Sequence, residues 1–181
     1  ICYGIDSLAT PGTASASGTH ASYNVNGPKD GLGYTWGTCP PSSSCSVWAE
    51  SFAASLAWWK VDLGSVKTIN RIKVAAFTTA SNVYYNVQIS TDDSSWTTLG
   101  STVTEDWVTF DFTPAPARYV RIQETSHAAG SNNYIYIREV EVYEAIACNW
   151  TSGKLSNALS FDGTDDYVRG VVDNSTSLNI N

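Results

Sequence analysis

The run Trp58-Trp59-Lys60-Val61-Asp62-Leu63, followed closely by Ile69-Asn70-Arg71-Ile72-Lys73-Val74, decides the fold class. Both stretches alternate apolar with polar residues, the period of a strand with one buried face, and Leu63-Gly64-Ser65 between them is a turn signal. The pattern recurs in Tyr84-Tyr85-Asn86-Val87-Gln88-Ile89, Trp107-Val108-Thr109-Phe110-Asp111-Phe112 and Arg118-Tyr119-Val120-Arg121-Ile122. It recurs once more from Ile135 to Tyr143. Polar turn residues such as Thr91-Asp92-Asp93-Ser94-Ser95 separate the runs. Helix-period stretches are nearly absent, Trp48 to Ala57 being the one segment compatible with a helical turn or two. Short strands at regular spacing with almost no helix predict an antiparallel β-sandwich or jelly roll.

Composition agrees. With 181 residues, 43% hydrophobic and 15% charged, and with seven Trp and ten Tyr, the chain can bury a core without a cofactor and lacks the signature of disorder. Ten Lys plus Arg against seventeen Asp plus Glu give a net charge of −7 without a basic stripe, which argues against nucleic acid as a partner. No apolar run approaches the roughly 18 residues of a membrane span. The opening Ile-Cys-Tyr-Gly reads as a mature or excised piece of a longer protein.

The four cysteines, at 2, 39, 45 and 148, include no C-x-x-C pair, and two histidines add too few ligands for a zinc site. Disulfides are the better reading, with three connectivities open. The turn-rich segment Cys39-Pro-Pro-Ser-Ser-Ser-Cys45 favours 39–45, which leaves 2–148. That second bridge would close a long loop and, in the chain-entropy model, contribute about 4 to 5 kcal/mol. Such bridges persist outside the cytosol, so the chain is expected at the cell surface or secreted. Asn149-Trp-Thr151 and Asn174-Ser-Thr176 are glycosylation sequons, meaningful only in an exported chain from a glycosylating host.

The first unit is expected to close at Cys148, giving a domain over 1–148 and a tail over 149–181. Within the tail, Leu155 to Val168 repeats the strand, turn, strand pattern. Some 30 residues bury no core of their own, so this tail must dock on something, pair with another chain, or begin a further domain.

Five phrases carry a family resemblance: Trp58 to Gly64, Ile69 to Val74, Val87-Gln-Ile-Ser-Thr-Asp-Asp-Ser-Ser-Trp96, Ala117-Arg-Tyr-Val-Arg-Ile122 and Arg138-Glu-Val-Glu-Val-Tyr143. In this order, over residues 1 to about 147, they resemble discoidin domains, also called F5/8 type C domains, which include the family 32 carbohydrate-binding modules. The resemblance implies a galactose-binding-like β-sandwich of about eight strands. It also implies ligands held by loops at the end away from the termini, and binding without catalysis. Cysteines near both ends fit the terminal bridge of many discoidin domains. The tail, Ala158 to Val168 with Ser177-Leu-Asn-Ile180, resembles the opening of a laminin-G-like, concanavalin-like jelly roll.

The resemblance also implies a structural Ca²⁺, held by an Asp-Gly turn, carbonyls, a Thr and the Glu that opens the last strand, the hard oxygen set this ion takes. Asp30-Gly31, Thr35 and Glu139 match that set. Val25-Asn26-Gly27 is the alternative counterpart of the turn, with a neutral Asn26 where the carboxylate belongs.

Sugar recognition needs a flat aromatic face and fixed polar groups. The loop Gln123 to Tyr134 offers His127, Asn132, Asn133 and Tyr134, and the loop Phe77 to Val83 offers Phe77 and Asn82. Trp36, beside the Cys39–Cys45 insertion, is a further ligand candidate, whereas Trp48 is expected in the core and Trp58, Trp59 and Trp96 in packing. The Arg that galactose-binding members commonly place between positions like Phe77 and Tyr84 is absent here, which counts against galactose specificity. Acidic balance ranks membrane lipid below glycan. No Gly-x-Ser-x-Gly occurs, and Asp162, Asp165 and Asp166 read as a hairpin turn, so the chain is read as non-catalytic.

The sequence thus predicts an extracellular carbohydrate-binding or adhesion module whose partner is a glycan or glycoprotein. The alternative is a fibre or sheath subunit that pairs with identical subunits by β-strand addition of its tail.

Overall fold

The computed structural model describes residues 2–20, 23–32, 47–51, 56–78, 84–102, 106–126, 134–147, 150–152 and 157–159. Two compact units emerge, Ile1–Ala147 and Cys148–Asn181. In the first, β1 (Thr13–Ala16), the 3-10 turn η1 (Gly27–Lys29), β2 (Trp48–Ser51), β3 (Trp58–Thr78), β4 (Tyr84–Ser90), β5 (Thr97–Thr102), β6 (Asp106–Ser126) and β7 (Tyr134–Glu144) follow in order. In the second, β8 (Trp150–Ser152) pairs antiparallel with β9 (Asn157–Leu159). The Trp48–Ser51 segment, where the sequence allows a helical turn, is a strand paired with β7.

All ladders in the first unit are antiparallel, and the order is β2-β7-β3-β6-β4-β5, with β1 on β3. The two long strands explain how one sheet becomes two layers. Trp58–Asp62 of β3 pairs β6 over Tyr119–Gln123, while Lys67–Ala76 pairs β6 over Asp106–Ala117, with register shifts between Asp62 and Lys67 and between Ile69 and Arg71. Bulges of this kind bend a strand. At the first bend Gly64 has φ +83°, a left-handed conformation that favours glycine, and its N–H is held by Asp62 Oδ1 at 2.8 Å. Beyond the bends, β1, β4 and β5 extend one layer and β7 and β2 extend the other.

The inner faces meet in one apolar cluster. Trp59 and Val61 of β3, Tyr85, Val87 and Ile89 of β4, and Val120 and Ile122 of β6 line it from one layer. Ile72, Val74, Ile137, Val140 and Val142 line it from the other. Along Ala57–Val61 and Tyr85–Ile89 the buried side chains fall on alternate positions, as pleating requires. Trp48 and Trp59 are fully buried as the sequence predicts; Trp58 and Trp96 are partly buried and pack against Lys60 and Arg121. Trp58 lies next to buried Trp59 on a pleated strand and so takes the opposite face.

Candidate functional site

Strand register gathers several chain crossings at one end of the first unit. Ser51 pairs Tyr134, Thr78 pairs Ile135, Tyr84 pairs Ser126, Trp58 pairs Gln123, Ala76 pairs Asp106 and Tyr85 pairs Thr102. The connections after β2, β3, β5 and β6 therefore leave from a common rim. The opposite end carries the N-terminal segment, through the Tyr3–Ala145 bridge, and the β4–β5 turn.

Two of the sequence-predicted ligand residues are strand positions at this rim. Tyr134 opens β7, and Phe77, one residue from the end of β3, stands opposite Tyr136. Trp36, Asn82, His127, Asn132 and Asn133 lie outside the described residues, as do Thr35, Cys39, Cys45, Cys148, Asn149 and Asn174.

The structure adds residues that the sequence reading passes over. His20, Tyr23 and Tyr136 form an aromatic row, with ring centroids 5.8 Å apart for the first pair and 5.5 Å for the second, the latter edge-to-face. Such contacts contribute about 0.5 to 1.5 kcal/mol beyond area burial. Tyr136 lies between the inward Ile135 and Ile137, so its outward placement is legible in the alternation of β7. His20 and Tyr23 lie outside any strand, and only tertiary contacts bring them there. His20 N–H donates to Ala49 O at 2.9 Å, Trp48 Nε1 to Gly18 O at 2.9 Å, and Trp59 Nε1 to Val25 O at 2.8 Å. Two core indoles thus pin the segment that carries the row.

Beneath the rim, Glu124 is wholly buried. Its Oε2 accepts from Ala57 N–H at 2.9 Å and its own N–H donates to Ala57 O at 2.9 Å. Gln123 Nε2 donates to Ala57 O at 3.3 Å, adding a third contact to the entry of β3. These bonds fix where the β2–β3 connection rejoins the sheet.

A second polar junction joins η1 to β7. Ala75 pairs Glu139 whereas Ala76 pairs Ile137, so Arg138 is the extra residue of a bulge. That bulge turns Glu139, 1% exposed, toward the turn after η1, where its Oε1 accepts from Gly31 N–H at 3.3 Å. Asp30 Oδ1 accepts from Leu32 N–H at 3.0 Å, while Asn26 is the N-cap residue of η1 without a side-chain cap bond. Asp30-Gly31 and Glu139 are therefore brought together, and their oxygens are the type Ca²⁺ takes. Among the described residues no group of three or more His, Cys, Asp or Glu could hold a metal. The carboxylates alone therefore do not make up a full set of ligands.

A family model of the F5/8 type C group, described as a NedA-like, galactose-binding domain, matches residues 24–122. The chain belongs to this family. A search of curated proteins finds no match. Among solved structures, this NedA-like domain is similar to chitosan-binding module 1 of a chitosanase/glucanase from Paenibacillus sp. IK-5, at 32% identity and TM-score 0.58. The match covers 76% of this chain and 98% of that one. Module 2 of the same enzyme, solved with chitotriose, is similar at 27% identity and TM-score 0.57, covering 75% and 98% of the two chains. The family 32 carbohydrate-binding module of NanJ from C. perfringens, in complex with galactose, is 18% identical with TM-score 0.58 and covers 77% and 98%. At that identity it bears on the fold alone.

Proposed function

We propose that this NedA-like domain is a non-catalytic extracellular module that binds a glycan at the loop rim, with amino-sugar oligomers as the leading ligand class. The observation that carries this reading is the pinned His20–Tyr23–Tyr136 row beside the converging strand ends, in a chain 32% identical to a chitosan-binding module. Aromatic faces pack on the apolar side of a pyranose, and a chain of net charge −7 favours a cationic sugar over an anionic lipid surface. Affinity per site would be weak and raised by repetition of modules, since linked sites see a high effective concentration. Phe77, Tyr134, Trp36, Asn82, His127, Asn132 and Asn133 belong to the proposed ligand set.

A structural Ca²⁺ near Asp30, Glu139 and Thr35 is part of the proposal, as are the 2–148 and 39–45 bridges. The N-terminal segment supports the first bridge: Ile146 N–H donates to Cys2 O at 3.4 Å, and Cys148 follows two residues later in the chain. The experiment is a titration of glucosamine oligomers against neutral and galactosyl oligosaccharides, with calcium and with chelator. Saturable binding that weakens about tenfold in Tyr136→Ala or His20→Ala, with a cooperative melt retained, supports the reading. Binding that ignores both substitutions refutes it. Chelator should lower the melting temperature, as loss of a native-state ligand does, and leave Glu139→Gln unaffected.

A further inference from the structure

A second cluster of charged and aromatic side chains starts at Trp58, at the edge of the rim, and runs away from it down the outer face of the β1-β3-β6-β4-β5 layer. Arg121 of β6 stands opposite Lys60 of β3 and Gln88 of β4. Its guanidinium lies over the indole of Trp96, Cζ 3.9 Å from the ring centroid, and its Nε donates to Gln88 Oε1 at 2.9 Å. Gln88 is itself fixed, Nε2 donating to Thr98 Oγ1 at 3.0 Å. Stack and amide together set the plane of the guanidinium, while its Nη donors bond to no described residue.

Arg71 and Arg118 differ. Arg71 gives Nε and Nη2 to Asp111 at 2.5 and 2.7 Å, and Arg118 gives Nε and Nη2 to Asp62, both at 2.8 Å. Arg121 has no such bidentate partner, and burial lowers its pKa by disfavouring the charge, against a smaller opposing effect of Asp93. Beside it, Lys60 Nζ sits 5.3 Å from the Trp58 ring and 5.8 Å from the Tyr119 ring and pairs with Asp93. Asp62 is taken by Arg118 and Asp93 by Lys60, which leaves Arg121 as the cation of this face with no side-chain ion pair among the described residues.

A planar, pre-oriented guanidinium with its Nη edge open matches a carboxylate, and only Arg offers that fork. Partly exposed rings on the same face, Trp58 and Tyr119, supply what a pyranose needs beyond its charge. We infer that Arg121, with Lys60 and the Trp58 and Tyr119 rings, forms a second binding site, for the carboxylate of a uronate residue in an acidic oligosaccharide. This site lies on a sheet face and takes a ligand of opposite charge to the one proposed for the rim, so the two readings stand or fall separately.

The test is titration of tri-galacturonate into the full chain at two salt concentrations, read by tryptophan fluorescence and calorimetry. Saturable binding is expected, weaker at high salt and lost for the methyl ester of the same trisaccharide. Arg121→Gln should weaken binding about tenfold or more, and Arg121→Lys nearly as much because the ammonium lacks the fork. Tyr136→Ala should leave it unchanged, and glucosamine oligomers should bind Arg121→Gln as they bind the wild type. If Arg121→Gln fails to melt cooperatively, Gln88→Leu, which frees Nε, replaces it and should weaken binding severalfold. No binding to the wild type, wild-type binding in the folded variant, or equal binding of the methyl ester or of a triglutamate peptide would overturn the inference.

Discussion

A carboxylate with no exposure, in a core otherwise lined by Trp, Ile and Val, has to be held by hydrogen bonds, and Glu124 is so held by the Ala57 amide. Removing it leaves that N–H unpaired under the rim. Glu124→Ala should therefore destabilise by about 2 to 4 kcal/mol, and Glu124→Gln, which keeps an acceptor, by less, as read from urea denaturation midpoints. Surface carboxylates act through pH instead. The Arg118 hydrogen bond lowers the pKa of Asp62, and that of Arg71 lowers Asp111, both from 3.8. A pKa depressed in the folded state means a contribution present above the unfolded value and lost as pH falls through the folded one. Melting temperature should thus hold down to about pH 4 and fall below it, with a shallower fall in Asp62→Asn/Asp111→Asn. Both pairs are partly exposed, so the effect should shrink with added salt. An equal acid response in the double variant would contradict this account.

Among the elements, the alternating runs made β4 and β7 legible almost to the residue, although the Arg138 bulge breaks the alternation within β7. The runs at Trp58 and Ile69 read as two strands. They are the two arms of β3, which bends at Gly64: pairing with β6 stops after Asp62 and resumes at Lys67. The halves of β6 join where its register with β3 shifts, between Asp111 and Ala115. β1, Thr-Ala-Ser-Ala, alternates only through small alanines, too weak a signal to mark a strand, and is held by its pairing with Trp59 to Asp62. β5, with the burial of an edge strand, was equally silent. Of the site, Glu139 was legible through the resemblance, whereas the reach of His20 and Tyr23 depends on indole hydrogen bonds that no local pattern encodes. The entry to β1 gives the element-scale prediction. A Cβ on Gly12 would lie 2.5 Å from Val61 Cγ2 and 2.7 Å from Asp62 O. Gly12→Ala should therefore cost about 1 to 3 kcal/mol by overpacking, measurable by thermal or urea denaturation. If stability is unchanged, β1 does not sit tightly on β3.

For the whole molecule, the described residues of the apolar cluster that holds the two layers belong to the first unit. The short β8–β9 ladder belongs to the second, and an isolated two-stranded pair is marginal in water. Stability and glycan binding should then both reside in Ile1–Ala147. Deleting residues 149–181, with Cys148 kept, tests this. A cooperative melt close to that of the full chain and retained oligosaccharide binding are expected, checked by calorimetry and titration. Size-exclusion chromatography with light scattering on the same pair of proteins tests the alternative of strand addition between copies. If the full chain forms concentration-dependent oligomers that the deletion abolishes, the tail pairs with neighbours and the fibre reading gains. If both proteins run as monomers, the tail's apolar positions are not a β-augmentation surface and recognition at the first unit remains the function to pursue.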